Sequence, residues 1–212
     1  MLGTAALAAE QVRIIEMRSV PRHELPVAHG ASHELRLSLY AFAGTRWTQP
    51  EIVAAALAAA RLLAQCGVSL AGVELRTVEA PRRFHFYYTP VARELLRALS
   101  VVKPAVFFVD DTLNRPAFDA EAIGLANAAA RPELAHTVWV AHGARDLPLV
   151  LAHELVHLLS DGGEHSTEPA NLMRDETAPR NTRLSEAQCE RVRARGKESG
   201  LLARRSRDDA QR

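Results

Sequence analysis

Residues 153–173 of the 212-residue chain read HELVHLLSDGGEHSTEPANLM. His153 and His157 are four residues apart, Glu154 directly follows the first of them, and His165 comes after a pair of glycines. Positions i and i+4 of an α-helix lie on the same face, so the imidazoles of His153 and His157 can point at a common centre. This stretch therefore predicts a metal site with an acid–base residue beside it.

The residues around this stretch favour a buried helix. Residues 147–159 are predominantly apolar, Asp146 and Pro148 form a helix-start signal, and Gly162 is a stop signal. Buried polar groups without partners are costly, so two histidines and a glutamate on such a helix need a reason. Metal binding supplies that reason.

The donor types indicate zinc. Neutral imidazole is a good zinc ligand, and a catalytic zinc keeps three protein ligands and one position for water. Glu154 projects beside the metal, where it can take a proton from the zinc-bound water and deliver it to a leaving amine. HExxH on a helix is the metalloprotease signature. The residues thus predict one catalytic Zn²⁺ and Glu154 as general base.

Two residues compete for the third ligand position. Asp161 lies one further turn along the helix, and His165 lies beyond Gly162-Gly163, where the chain can reverse. Asp161 could otherwise orient a histidine from outside the ligand set, or be a solvated residue at the helix end. Spacing alone leaves both residues open.

The segment from His165 to Met173 resembles the segment after the third zinc histidine in metzincin peptidases, especially the matrixins. In that family the third histidine is often followed by serine, as in His165-Ser166, and a methionine lies eight residues on, where Met173 stands. The resemblance implies that His153, His157 and His165 are the zinc ligands, and that Met173 is the Met-turn residue under the metal. It also implies that Glu154 is the catalytic base.

The chain departs from the usual metzincin string HExxHxxGxxH. Ser160 stands at the glycine position, and the third histidine comes two residues later. Gly162 and Gly163 are expected to end the helix with positive φ in place of that glycine. The family's proline-tyrosine after the methionine is replaced by Arg174-Asp175, so a matrixin-like substrate contact is not implied there.

The whole chain predicts an α+β fold. Expected strands are 35–42, 73–78, 105–109, 123–127 and 137–141. Expected helices are 48–65, 90–100, the active-site helix between Asp146 and Gly162, and 185–195. This order resembles the metzincin catalytic domain, a twisted and mostly parallel sheet with an active-site helix and a small C-terminal subdomain. The expected parts are an N-terminal extension at 1–33 that could retain a signal remnant, the catalytic domain at 34–196 and a polar tail at 197–212. The resemblance places the substrate-binding edge strand near residues 124–127, and a plain loop is the open alternative for this segment.

The composition indicates which kinds of partner to expect. The chain is 48% hydrophobic and 24% charged, which is ordinary for a globular protein. A net charge of +1 gives no electrostatic case for nucleic acid, and no apolar run is long enough to span a bilayer. The expected partner is a protein or peptide substrate, whereas the oligomeric state is not readable.

The cysteines bear on the compartment. Cys66 and Cys189 could pair in a secreted protein and join the first helix to the last, whereas in the cytosol they would stay reduced. The short apolar start, residues 1–9, resembles the tail of a secretory signal but lacks a basic region. The expected localisation is secreted or periplasmic, with the cytoplasm left open.

The sequence as a whole predicts a zinc-dependent endopeptidase. Two alternatives stay open: a zinc-binding protein without peptidase activity, and a zinc hydrolase acting on a non-peptide amide. An intact Glu154 argues against the first, since an inactive site need not keep its base.

Overall fold

The computed structural model describes residues 11–112, 123–124, 132–143 and 146–205, and a seven-stranded sheet forms the centre of this part. The strands are β1 (Arg13–Ser19), β2 (His33–Phe42), β3 (Val68–Glu79), β4 (Phe86–Tyr87), β5 (Ala105–Val109), β6 (Asp111–Thr112), β7 (Ile123–Gly124), β8 (Thr137–Ala141) and β9 (Leu202–Arg204). The helices are α1 (Gln49–Leu63), α2 (Thr89–Ala98), α3 (Leu147–Ser160) and α4 (Glu186–Glu198). The strand order is β1-β3-β2-β5-β8-β7, β9 also pairs with β2, and β4 and β6 pair separately.

The middle of the sheet is parallel and its edges are antiparallel. β3, β2, β5 and β8 run parallel, while β1 pairs antiparallel with β3 and β7 antiparallel with β8. All five residues of β5 and of β8 are buried. Strands buried on both faces read as near-continuous apolar runs, which is why these two were recognisable from sequence. The predicted α+β fold with a mostly parallel sheet is confirmed.

Each face of the sheet carries its own apolar core. One core contains the buried side chains of α1, α3 and α4, and the other is built on α2 and on Tyr40, Phe107 and Trp139. The rings of Phe107 and Trp139 stack at 4.3 Å between centroids, and Phe107 also stacks on Tyr40. α3 is therefore held between the sheet and two other helices.

The C-terminal helix is tied to the end of α1. A disulfide joins Cys66 to Cys189, with 4.6 Å between their Cα atoms. The side chain of Gln65 donates to the carbonyl of Thr182 and accepts from the backbone N–H of Leu184 at 2.7 Å. A capping box opens α4, where Ser185 and Gln188 satisfy each other's backbone N–H groups. The cysteine pairing that the sequence left open is present.

Two strands lie outside the predicted catalytic domain of residues 34–196. β1 pairs with β3, and β9 pairs with the first residues of β2, with Leu201 and Leu202 buried. The proposed domain bounds stay a prediction. β7 lies at the sheet edge where a substrate-binding strand was expected, but residues 125–127 of that expected strand lie outside the described residues. No helix among the described residues is long and apolar enough to cross a membrane.

Candidate metal centre

Helix α3 carries three polar side chains that the fold buries. It begins at Leu147 and ends at Ser160, between the predicted start and stop signals, and His153, Glu154 and His157 expose only 6–8% of their surfaces. Asp146 precedes the helix in a left-handed conformation, and it accepts the first helical N–H with its backbone carbonyl rather than its side chain. The helix therefore places two imidazoles and a carboxyl group in an apolar setting.

The three predicted histidines converge. The Nε2 atom of His157 lies 2.9 Å from that of His153 and 3.2 Å from that of His165, and 3.3 Å separates His153 from His165. Zinc–nitrogen bonds of about 2.0–2.1 Å in tetrahedral geometry place ligand nitrogens about 3.3 Å apart. The spacing of these histidines therefore fits one ion, and they form the cluster of potential metal ligands found in the described part of the chain.

An oxygen acceptor fixes the other nitrogen of each ring. Nδ1 of His153 lies 2.9 Å from the carbonyl of Leu172, and Nδ1 of His157 lies 2.7 Å from the carbonyl of Gly162. Nδ1 of His165 lies 2.7 Å from a carboxylate oxygen of Asp175. Since these oxygens accept hydrogen bonds, each Nδ1 carries the proton and each Nε2 presents a lone pair to the common centre.

Burial keeps the helical histidines neutral. Desolvation lowers the pKa of His153, with a smaller contribution from His165 in the same direction. Desolvation, followed by the neighbouring His153, lowers the pKa of His157 to about 4. Metal ligation requires unprotonated imidazole, so neither ring has to release a proton to bind an ion at neutral pH.

Glu154 is a buried carboxyl group, and its Oε2 atom has no hydrogen-bond partner among the described residues. Burial raises the pKa of Glu154 to about 7. A carboxyl group with a pKa near the working pH can accept a proton and later return it. The side chain thus has the properties of a general acid–base residue.

The raised pKa of Glu154 predicts that the stabilities of metal-free wild type and metal-free Glu154→Gln depend differently on pH. The pKa of Glu154 in the folded chain, about 7, lies above its ordinary value of 4.5. The folded chain therefore keeps its full stability below pH 4.5, where the carboxyl group is neutral in both states, and loses stability as the pH rises towards 7. The variant lacks this loss. Relative to wild type, the free energy of unfolding of Glu154→Gln should therefore rise by up to about 3 kcal/mol between pH 4.5 and pH 7, at 1.36 kcal/mol per pKa unit.

Urea unfolding of both chelator-treated proteins at several pH values measures this difference. The histidines respond to pH in the opposite direction but are common to both proteins, so the comparison isolates Glu154. Parallel stability curves from pH 4.5 to 8 would show that Glu154 is ordinarily solvated.

The helix end differs from the expectation in one respect. Asp161, with φ of 48°, is the left-handed residue after α3, so the prediction that Gly162 or Gly163 supplies the positive φ is wrong. Aspartate tolerates this conformation better than most residues because its short polar side chain can bond locally. The N–H of Asp161 donates to the carbonyl of His157, and the chain then turns the Gly162 carbonyl towards the His157 ring.

The structure separates the two candidates for the third ligand. Asp161 is exposed and does not join the histidine cluster, whereas His165 does. The ligand roles themselves stay a prediction, but the geometry agrees with the set of three histidines.

Met173 lies in a tight, buried turn close to this cluster. Its carbonyl accepts from the N–H of Ser166 at 2.6 Å, and its own N–H donates to the side chain of Asn171 at 2.8 Å. Met173 and His165 both line a cavity of about 210 Å³ that α4 closes with Gln188 and Arg191. The Met-turn role of Met173 stays a prediction.

Three supporting residues were not predicted. Asn171 and Gln188 form a double amide hydrogen bond at 3.0 and 3.2 Å that ties the turn to α4, and Asp175 contacts His165. Asn171 is only 3% exposed. The one signal in the sequence is the polar Arg174-Asp175 pair where the family has proline-tyrosine, and this departure alone does not predict a contact with His165.

Among solved structures, metalloproteinase-II from Bacteroides fragilis has a similar fold. It superposes with a TM-score of 0.55 at 18% sequence identity, over 81% of this chain and 55% of that protein. The chain thus spans about half the length of this neighbour, and at this identity the likeness shows the fold alone. No protein-family model and no curated protein sequence matches the chain.

Proposed function

We propose that the chain is a zinc-dependent endopeptidase of metzincin type, with His153, His157 and His165 as zinc ligands. The observation that carries the proposal is the convergence of three Nε2 atoms, two from α3 and one from the loop after it. The same helix carries the buried carboxyl group of Glu154, whose Oε2 has no hydrogen-bond partner among the described residues. A metalloproteinase-like fold supports it.

The lone pairs of the histidines argue for a cation. All three Nδ1 atoms donate outward, so three Nε2 lone pairs face one another at 2.9–3.3 Å. Lone pairs at this separation repel unless a positive charge lies among them. Three neutral imidazoles in tetrahedral spacing, with a fourth position left over, match a catalytic zinc site. Imidazole also suits copper, iron and nickel, so the choice of zinc belongs to the proposal.

The proposed chemistry follows from the site. When bound, zinc supplies a Lewis acid that acidifies water and polarises a carbonyl group. Glu154 accepts the proton of the attacking water and afterwards protonates the departing amine. In the metal-free chain its apolar surroundings raise its pKa to about 7, so the carboxyl group exchanges its proton near neutral pH there. The hydrogen bonds to Leu172, Gly162 and Asp175 hold the three imidazoles in the required tautomer.

The proposed substrate is an extended peptide. β7 is a short antiparallel strand at the sheet edge, paired with β8 through Ile123 and Gly124. An extended chain laid along the edge formed by β7 would gain backbone hydrogen bonds without a strict sequence requirement, and side-chain pockets would add selectivity.

The proposed compartment is secreted or periplasmic. The Cys66–Cys189 disulfide supports it, because disulfides persist in oxidising environments and are rare in the cytosol.

A peptide digest tests the function. Zinc-loaded protein should cleave internal bonds in a mixed peptide library, lose this activity after chelation, and regain it when zinc is returned. Mass spectrometry of the products locates the cleaved bonds. A protein that binds zinc and cleaves no peptide would contradict the peptidase and leave the two alternatives, of which hydrolysis of simple amide substrates would identify the second.

A further inference from the structure

The contact between His165 and Asp175 differs from the other two histidine contacts. His153 and His157 lie on one rigid helix and donate to backbone carbonyl groups. His165 lies on a loop, exposes 39% of its side chain, and donates to a side-chain carboxylate. The least buried of the three rings is therefore the one whose orientation depends on a replaceable side chain.

Several contacts hold the backbone on both sides of this pair. The N–H of Ser166 donates to the carbonyl of Met173 at 2.6 Å, and the guanidinium group of Arg174 donates to the carbonyl of Thr167 at 3.0 Å. These hydrogen bonds connect the segment that follows His165 to the segment that precedes Asp175. The carboxylate is thus presented to Nδ1 at 2.7 Å by a fixed backbone.

We infer that Asp175 is a positioning residue for the third metal ligand: its carboxylate holds His165 as the Nδ1–H tautomer, with Nε2 aimed at the metal centre. This inference rests on the proposed metal centre but not on peptidase activity. Carboxylates that accept from ligating histidines typically contribute 10–100-fold to metal affinity.

A purely structural role would predict something different. The Asp175 side chain is 83% exposed and does not belong to the apolar core around α3 and α4, so its removal should leave the packing of these helices intact. The effect should fall on metal affinity and on the His165 tautomer, while the thermal midpoint of the metal-free protein stays that of wild type.

Three variants test the inference: Asp175→Ala, Asp175→Asn, and Glu176→Gln as a charge-matched control at the next position. Zinc affinity is measured by competition with a chromophoric chelator. Asp175→Ala should bind about 10–100-fold more weakly. Asp175→Asn keeps an acceptor oxygen and should recover part of this loss. Glu176→Gln removes an exposed carboxylate from the same loop and should match wild type.

A second readout needs no metal. Long-range ¹H–¹⁵N NMR of the metal-free protein should show His165 protonated at Nδ1 in wild type and in Asp175→Asn, and a mixture of tautomers in Asp175→Ala. Wild-type affinity in Asp175→Ala, an equal loss in Glu176→Gln, or no recovery in Asp175→Asn would overturn the inference. A wild-type protein with these properties that cleaves no peptide would overturn the peptidase alone.

Discussion

The Glu154→Gln variant is expected to keep its zinc and to cleave peptides about 10²–10⁴-fold more slowly than wild type. Glutamine has nearly the same shape but cannot accept and return a proton. The ligand nitrogens belong to other side chains, whose hydrogen bonds do not involve Glu154. The loss should therefore appear in kcat/KM and leave metal content unchanged.

The matched control for this experiment is Glu168→Gln. Glu168 is an exposed carboxylate near the same site, and its recorded contacts in the turn are through its backbone groups. It should retain wild-type kcat/KM. Equal activity of Glu154→Gln and wild type would show that another group moves the proton, and loss of zinc from the variant would make Glu154 part of the ligand shell instead.

Local pattern made much of the site predictable. The four-residue spacing of His153 and His157 defines one helical face whatever the rest of the chain does. The apolar runs of β5 and β8 identified two central strands to the residue, because a strand buried on both faces leaves no polar positions. The position of Met173 relative to His165 favoured the histidine over Asp161, and the structure brings that histidine to the other two.

What the sequence did not show depends on tertiary contacts or on small local differences in energy. Asp175 approaches His165 only because the chain returns through the turn at Met173, and no spacing rule encodes that return. Asp161 takes the left-handed conformation although two glycines follow it, a choice that the hydrogen bonds of the helix end decide. β1 exposes all seven of its residues, so it has no alternating apolar pattern by which to recognise it.

Replacing His165 with alanine is expected to weaken zinc binding by about 10²-fold or more, beyond the range associated with loss of a supporting carboxylate. Two imidazoles would remain where a catalytic zinc site has three protein ligands. Asp161→Ala should bind zinc as wild type does, because the Asp161 side chain is exposed and outside the histidine cluster.

Competition with a chelator gives the two affinities, and X-ray absorption spectroscopy gives the number of nitrogen ligands. Both replaced side chains are partly or fully exposed, so circular dichroism of the metal-free variants should match wild type and exclude misfolding as the cause. Zinc should raise the thermal midpoint of Asp161→Ala as it does that of wild type, but raise that of His165→Ala much less, since a ligand stabilises the folded chain in proportion to the logarithm of its affinity. The reverse pattern, with zinc lost from Asp161→Ala and retained by His165→Ala, would make Asp161 the third ligand and would require the loop from Gly162 to His165 to move away from the metal.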